Sequence, residues 1–353
     1  MLAARFHGRS DIRIEEIDIP QIKSPDDVLV EVHFCGICGT DLHEYLVGPI
    51  VTAVTPHPLT GATLPQTLGH EFSATVVEVG AEVEDVRVGD RVAIMPAIVC
   101  GRCYHCRRGL GHLCSRFAAT GLSAETGGLA NFAVVKEYQV AKLPDSVSDL
   151  EGAVIEPACV AAYGVDRAGV TGGDVVLVTG AGPIGILTAM YASAIGASTV
   201  IIAEPNPNRA ALARAMDIGP VVDPTMSGFG DFIADFTEGI GVDLAVECSG
   251  TTPGLATAIS STRARGQVVQ TGLHTEPAVV DMMLVANKDV SVHGSWCFYI
   301  TDWPRIIRLV ASGKYPVGKA VTSVIDLAEV VPRGFDVLVH PTGDQIKVLV
   351  KSK

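Results

Sequence analysis

The first part of the chain alternates hydrophobic and polar residues with a period of two. In residues 27–34, three valines and Phe34 fall on one face, which predicts a half-buried strand. Residues 72–79 and 91–98 repeat this pattern. Glycines and prolines separate the runs and predict turns between them. The pattern therefore predicts a β-rich lobe that extends to about Glu156.

From about Gly172 the pattern changes to short apolar runs that alternate with helical stretches. Strands and helices that alternate at this spacing predict a doubly wound parallel sheet, so the chain is assigned to the α/β class. The predicted strands are residues 175–179, 199–204, 221–223, 244–248 and 267–273, and the predicted helices include residues 208–217 and 253–262.

Beyond Trp296 the alternation fades. Residues 303–311 predict a helix that stops at Gly313, and residues 345–350 predict a final apolar strand. We expect this tail to rejoin the first lobe. The predicted domains are thus residues 1–156 with 296–353, and an inserted domain of residues 157–295, with a cleft between them where ligands tend to bind.

Length and charge narrow the classes of protein that the chain can represent. A chain of 353 residues with 48% hydrophobic content supports two well-buried cores. The formal net charge of −13 argues against nucleic acid or an anionic membrane as the main partner. Residues 175–203 carry no charged side chain, but glycines interrupt them too often for a membrane-spanning helix.

A glycine-rich loop lies between the first strand and the first helix of the inserted domain. Gly180, Gly182 and Gly185 form G-x-G-x-x-G, and the next predicted strand ends at Glu204, about twenty residues on, as in a dinucleotide-binding fingerprint. Glu204 is expected to bind the adenosine ribose and to favour NAD over NADP. Arg209 is expected to stack on adenine, to pair with Glu204 or to face solvent. The cofactor-binding candidates are Gly180, Gly182, Pro183, Ile184, Gly185, Glu204 and Arg209.

Four cysteines share one short segment. Cys100, Cys103, Cys106 and Cys114 follow a C-x2-C-x2-C-x7-C spacing, which predicts a closed structural zinc site. Disulfides are the alternative. The opening segment MLAARFHGRS lacks an apolar signal-peptide core, so we expect a cytoplasmic protein with reduced thiols.

A second set of metal donors is dispersed along the first lobe. Cys38, the pair His70-Glu71 and Glu156 supply a thiolate, an imidazole and carboxylates. A catalytic zinc takes three protein ligands and leaves a fourth position open. One cysteine, one histidine and one glutamate meet that count.

The order of these motifs resembles the zinc-dependent medium-chain alcohol dehydrogenases over essentially the whole chain. GICGTDLHEY is followed by LGHEF, VGDRV, the four-cysteine segment, IEPACV and the glycine fingerprint. The resemblance implies a GroES-like catalytic domain beside a Rossmann nucleotide-binding domain, and two zinc ions and NAD as cofactors. It implies that Cys38, His70 and Glu156 hold the catalytic zinc, that Glu71 is an alternative or transient ligand, and that Thr40 and His43 form a proton relay. Cys159 remains a competing ligand.

Finer features are similar to the members of that family that act on (R,R)-2,3-butanediol and acetoin. These features are DLHEYLVGPI, PHPLTG and TLGHEFSATVVEVG. The long apolar stretch of residues 44–68 is expected to shape a pocket for a small secondary alcohol or ketone. Family resemblance also implies a homodimer or homotetramer, with residues 279–292 as the expected contact.

Three alternatives stay open at this point. A related enzyme acting on polyols, L-threonine or other secondary alcohols would carry the same motifs. A non-catalytic protein that binds NAD and zinc would keep them without turnover. A zinc knuckle that binds nucleic acid through the arginines near Cys103 is disfavoured by the acidic chain.

Overall fold

Antiparallel strands form the first lobe of the computed structural model, which describes residues 1–340, 342 and 344–352. Its helices are α1 (Gly39–Val47), α2 (Asp149–Gly152) and α3 (Ile155–Ala168). Its strands are β1 (Leu2–Gly8), β2 (Asp11–Glu16), β3 (Asp27–Gly36), β4 (Gln66–Thr67), β5 (Glu71–Val79), β6 (Arg91–Ile94), β7 (Ala97–Ile98), β8 (Ala118–Ala119), β9 (Phe132–Lys136) and β10 (Val140–Lys142).

The predicted alternation appears in β3, where Val28, Val30 and Val32 are buried on one face. One predicted strand is wrong in its length. Residues 91–98 are broken into β6 and β7, because Pro96 has no amide hydrogen to donate to a neighbouring strand.

Parallel strands form the inserted domain, as predicted. Its sheet has the order β13-β12-β11-β14-β15-β16 and every pairing in it is parallel. This order reverses between β11 and β14, where doubly wound sheets bind their ligands. The elements are β11 (Val175–Thr179), α4 (Pro183–Ala194), β12 (Thr199–Ala203), α5 (Pro207–Ala215), β13 (Val221–Val222), α6 (Phe229–Thr237), β14 (Val242–Glu247), α7 (Thr252–Ser261), β15 (Thr262–Gln270), α8 (Met282–Asn287) and β16 (Ser291–Gly294).

The tail returns to the first lobe. It contains α9 (Trp303–Ala311), β17 (Val321–Asp326), α10 (Asp336–Leu338) and β18 (Lys347–Lys351). β18 lies between β3 and β17 in the large sheet, antiparallel to β3. A discontinuous first domain would have this pairing. The boundaries at 156/157 and 295/296 stay predictions, and α3 runs across the first of them.

One hydrophobic core lies where the two domains meet. It includes Met95 from the first lobe, Ala158 and Ala161 of α3, Leu187 of α4 and Ile306 of α9. This shared core fixes the start of α3, and with it Glu156, against the first lobe. Among the described residues, no helix combines the length and the apolar character needed to cross a membrane.

Candidate functional site

Three predicted metal donors lie close together, each at or next to the start of a helix or strand. Cys38 is the N-cap of α1, His70 directly precedes β5, and Glu71 is the first residue of β5. One donor atom from each lies within 4.8 Å of the other two. Sulfur, imidazole nitrogen and carboxylate oxygen at this spacing suit a zinc ion with an open fourth position.

A buried carboxylate, Asp41, lies next to two residues of this cluster. Its Oδ2 accepts a hydrogen bond from the Cys38 amide at 2.9 Å, and its Oδ1 lies 3.6 Å from His70 Nδ1. Burial lowers the pKa of His70, but Asp41 and Cys38 outweigh it and raise that pKa well above its usual range. The pocket therefore attracts positive charge, as a metal site must. The sequence analysis missed Asp41, although its place three residues after Cys38 is a helix-capping signal.

Glu156 lies in the first turn of α3 and is buried. It does not belong to the group of atoms within 4.8 Å, in which Glu71 supplies the carboxylate instead. Burial raises the pKa of Glu156 to about 8, with smaller effects from His70 and Glu71. The described geometry thus favours Glu71 over the predicted Glu156 as the third donor, and Glu156 borders the site from α3.

Two cysteines border the same site without joining the donor group. Burial and then Glu156 raise the pKa of Cys159, and burial with Glu156 raises the pKa of Cys297 to about 12. Neither cysteine belongs to the donor group of Cys38, His70 and Glu71, so the geometry does not support Cys159 as the competing ligand.

Lys347 was also missed by the sequence analysis. It is fully buried at the start of β18, where it forms an ion pair with Glu71 Oε2 and donates a hydrogen bond to the Ile37 carbonyl at 3.0 Å. Nothing local marks it, because Lys347 and Glu71 are 276 residues apart in sequence.

The predicted relay residues lie on one face of α1. Thr40 Oγ1 is 3.8 Å from Cys38 Sγ. His43 follows one turn later and is half-buried, and residues three apart on a helix are neighbours. The structure thus brings Thr40 beside the donor cluster and places His43 further along the same helix, while the relay itself stays a prediction.

The four-cysteine cluster is separate from this site. The sulfurs of Cys100, Cys103, Cys106 and Cys114 all lie within 4.8 Å of one another, and all are free thiols. The amides of Cys100 and Arg116 both lie 3.4 Å from Cys114 Sγ. A backbone hydrogen bond from Cys106 is the largest cause that lowers the pKa of Cys103, to about 5. Such a closed set of four sulfurs is typical of structural zinc.

The glycine loop opens a space at the start of α4. Gly180 has φ of +95°, a conformation that glycine adopts without strain. A side chain at Gly182, the N-cap of α4, would meet no atom within 4 Å, and no side chain caps this helix. Pro183 and Ile184 begin the helix, while Gly185 packs against the Gly180 carbonyl. An open space at the N-terminus of a helix fits a pyrophosphate group.

Glu204 is buried directly beside this loop. Its Oε2 accepts a hydrogen bond from the Ala181 amide at 2.7 Å, and its Oε1 accepts one from the Asn206 amide at 2.8 Å. A carboxylate has about four acceptor positions, so Glu204 retains capacity for ribose hydroxyls. Arg209 lies on α5, half-buried, and the residues described leave its role open.

A second buried glutamate organises the apolar stretch after α1. Glu44 accepts hydrogen bonds from the amides of Ile50 and Val51 and from the hydroxyl of Thr52. Leu46, Ile50 and Val51 remain exposed. One buried carboxylate therefore fixes an apolar loop on the helix that carries the relay candidates.

Known proteins match this chain over its whole length. The alcohol dehydrogenase GroES-like domain matches residues 24–145 and the zinc-binding dehydrogenase family matches residues 183–312. A (R,R)-butanediol dehydrogenase of Bacillus subtilis is 38% identical over 99% of both chains. The crystal structure of 2R,3R-butanediol dehydrogenase from that organism superimposes with a TM-score of 0.92 at 37% identity, over 100% of this chain and 99% of that one.

Two further matches show the breadth of the relationship. A D-xylulose reductase A of Aspergillus niger is 34% identical over 98% of this chain and 95% of its own. A Sinorhizobium meliloti structure with NADP bound has a TM-score of 0.85 at 32% identity, over 99% of this chain and 98% of that one. The predicted pairing of a GroES-like domain with a Rossmann domain is confirmed, and the chain belongs to the zinc-binding dehydrogenases of the alcohol dehydrogenase family.

Proposed function

We propose that this enzyme transfers a hydride between NAD(H) and a small secondary alcohol or ketone, with (R,R)-2,3-butanediol and acetoin as its most favoured pair and acetoin with diacetyl as a second. The observation that carries the proposal is the donor cluster of Cys38, His70 and Glu71, found in a chain 38% identical to a (R,R)-butanediol dehydrogenase. Glu204 supports NAD, because its carboxylate would repel a 2′-phosphate.

When bound, zinc polarises the substrate oxygen and the nicotinamide exchanges the hydride. Residues of the chain would bind the metal and the cofactor and hold them in position. Cys38, His70 and one buried carboxylate would hold the metal, and Asp41 lies close enough to His70 Nδ1 to favour one orientation of the ring. The glycine loop would hold the pyrophosphate at the start of α4.

Proton movement is assigned to α1. Thr40 lies beside Cys38 and would accept the proton of the substrate hydroxyl, and His43, one turn later, would carry it toward solvent. A hydroxyl both accepts and donates, and an imidazole titrates near neutrality. The two residue types therefore suit a relay in either direction of the reaction.

We infer that the apolar loop held by Glu44 faces the substrate and favours a small molecule with few hydroxyl groups. The side chains of Leu46, Ile50 and Val51 offer no hydrogen-bonding atoms to a polyol. The second candidate is a polyol dehydrogenase, supported by the likeness to a D-xylulose reductase. Nine free cysteines support a reducing, cytoplasmic setting.

The decisive experiment follows NADH formation with each stereoisomer of 2,3-butanediol, beside sorbitol, xylitol, L-threonine and 2-propanol. We expect the highest kcat/KM with the (R,R) isomer and loss of activity on treatment with a chelator. A preference for xylitol would identify a polyol as the substrate and leave the proposed mechanism unchanged. No turnover with any substrate, by an enzyme that contains zinc and binds NADH, would contradict the proposal and favour a binding protein.

Zinc analysis tests the metal assignment separately. We expect about two zinc ions per chain. Cys38→Ser should remove one and abolish turnover, whereas Cys103→Ser should remove the other and lower thermal stability. Cys35→Ala should remove neither, because Cys35 lies buried in the core.

A further inference from the structure

A fully buried ion pair joins the candidate metal site to the tail of the chain. Lys347 and Glu71 are each 1% exposed, and the lysine ammonium contacts Glu71 Oε2. Lys347 also donates a hydrogen bond to the Ile37 carbonyl, directly before Cys38. The lysine therefore contacts both segments that supply metal donors, although it supplies none itself.

Gly36 provides the space for this pair. It lies at the end of β3, opposite Glu71 of β5 and Leu349 of β18. A Cβ atom at Gly36 would stand 2.8 Å from Lys347 Cε and 2.9 Å from Lys347 Nζ, and would also overlap Glu71 Oε2. The lack of a side chain at Gly36 thus leaves room for the lysine and the carboxylate side by side.

The charges of the site show why a cation is needed there. Asp41 and Glu71 are buried carboxylates, and Cys38 must lose its proton to bind a metal. These groups carry more negative charge than one divalent ion can balance. A buried charge without a partner is strongly destabilising, and Lys347 is the cation that the described structure places against them.

We propose that Lys347 is a positioning residue of the metal site, which holds Glu71 through one carboxylate oxygen and so makes Glu71, rather than Glu156, the third protein donor. The inference rests on the proposed metal site and extends it. A carboxylate has two oxygens with several acceptor positions, so Glu71 can bind Lys347 and a metal together. Metal binding at this site then depends on the positive charge and the length of the lysine side chain.

The test replaces Lys347 by methionine, which keeps the length of the side chain and removes its charge. Lys347→Met should weaken zinc binding at the Cys38 site by about 10- to 100-fold in competition with a chelator, the usual effect of losing an outer partner of a metal ligand. Zinc in the four-cysteine cluster should be retained and reports that the variant is folded. Lys351→Met, an exposed lysine of the same strand, is the matched control and should bind zinc like the unmodified enzyme.

Two further variants keep the test decisive. Lys347→Arg should recover most of the lost affinity, because it restores the charge. Gly36→Ala, which crowds the pair without removing it, should weaken zinc binding as Lys347→Met does.

With cobalt in place of zinc, the visible spectrum should change in Lys347→Met and remain unchanged in Lys351→Met.

A double-mutant cycle identifies the carboxylate that is involved. Lys347→Met should weaken zinc binding much less in a Glu71→Gln background, since the partner that it positions is gone. It should retain its full effect in a Glu156→Gln background. Equal effects in both backgrounds would overturn the assignment of Glu71.

Other results would contradict the inference itself. Unchanged zinc affinity and cobalt spectrum in Lys347→Met would overturn it, as would a raised KM for NAD with normal zinc retention, which would assign the lysine to the cofactor. If Cys38→Ser leaves the zinc content of the enzyme unchanged, the proposed metal site itself is wrong, and that failure is recognised without any Lys347 variant.

Discussion

Thr40 and His43 lie on the same helix, α1, directly after the candidate metal donor Cys38. Cys38 is the N-cap of α1, so Thr40 and His43, two and five positions later, lie on the same helix. The proposed relay would use one hydroxyl and one imidazole.

Replacement of His43 by glutamine should lower kcat by about 100-fold near pH 7, the scale of general acid–base assistance. The loss should shrink at alkaline pH, where hydroxide replaces the relay. The measurement is kcat against pH with the best alcohol. His340→Gln, at an exposed histidine, is the control, and an equal loss by His43→Gln at every pH would exclude the relay.

Glu204 should set the preference between the two nicotinamide cofactors. Glu204→Ala removes acceptors for the ribose hydroxyls, so kcat/KM for NAD should fall by about tenfold or more. The value for NADP should rise, because the repulsion of its phosphate disappears. Steady-state kinetics with both cofactors tests this, with the exposed Asp235→Ala as control. An unchanged ratio would assign specificity elsewhere.

At the scale of residues, the sequence predicts the donors better than their roles. The structure brings Cys38, His70 and Glu71 within reach of one another and leaves Glu156 outside that group, while their roles as metal ligands stay predictions. In our proposal the choice between the two glutamates depends on Lys347, which reaches Glu71 through strand pairing and not through any nearby motif. Spacing along a chain cannot report such a contact.

The short helix α2 is locked onto two strands of the first lobe. Asp149, its first residue, accepts from Arg91 Nε of β6 at 2.8 Å and lies 2.7 Å from His33 Nδ1 of β3. Burial raises the pKa of Asp149, but Arg91 and His33 outweigh burial and hold it below its ordinary 3.8. The carboxylate form is therefore the form that stabilises the fold.

Asp149→Asn should consequently destabilise the protein at neutral pH and much less in acid. A lowered pKa in the folded state gives stability that is present above about pH 4 and is lost as the pH falls through the lowered value. Urea unfolding at pH 7 and at pH 3 measures the difference. Asp145→Asn, an exposed neighbour, should have little effect at either pH, and a constant gap for Asp149→Asn would contradict the assignment.

Elements defined by local patterns are predicted well. The strand, glycine turn and helix from β11 to α4 agree with the sequence, and so does α9 at Trp303–Ala311. Their signals are apolar periodicity and caps, which lie inside the element. The place of β18 between β3 and β17 follows from pairing over more than 300 residues, and the alternation of residues cannot specify the partner of a strand.

The whole molecule presents an apolar edge on the inserted domain. β16 is the edge strand of its sheet, and Val292 on that strand is exposed, as are Val279, Met282 and Met283 nearby. An edge strand with exposed apolar side chains is a ready surface for pairing with another chain. We propose that a second copy covers it, which agrees with the predicted homo-oligomer.

Val292→Asp should convert the assembly into monomers in light scattering coupled to size-exclusion chromatography. A charge directly on the contact costs more than the apolar burial that it replaces. Val88→Asp, at an exposed valine of the other domain, should leave the molar mass unchanged. A monomeric unmodified protein, or an unaffected Val292→Asp, would rule out this contact.

Lys347 follows all the candidate metal donors in the sequence, so the two candidate metal sites would be completed at different times during synthesis. Cys38, His70, Glu71 and Glu156 emerge from the ribosome long before the lysine that balances them, whereas the four cysteines of residues 100–114 emerge together. Domains begin to fold as the chain is made. The cysteine cluster can therefore capture its metal during translation, while the reactive centre stays unfinished until β18 is released and inserts beside β3.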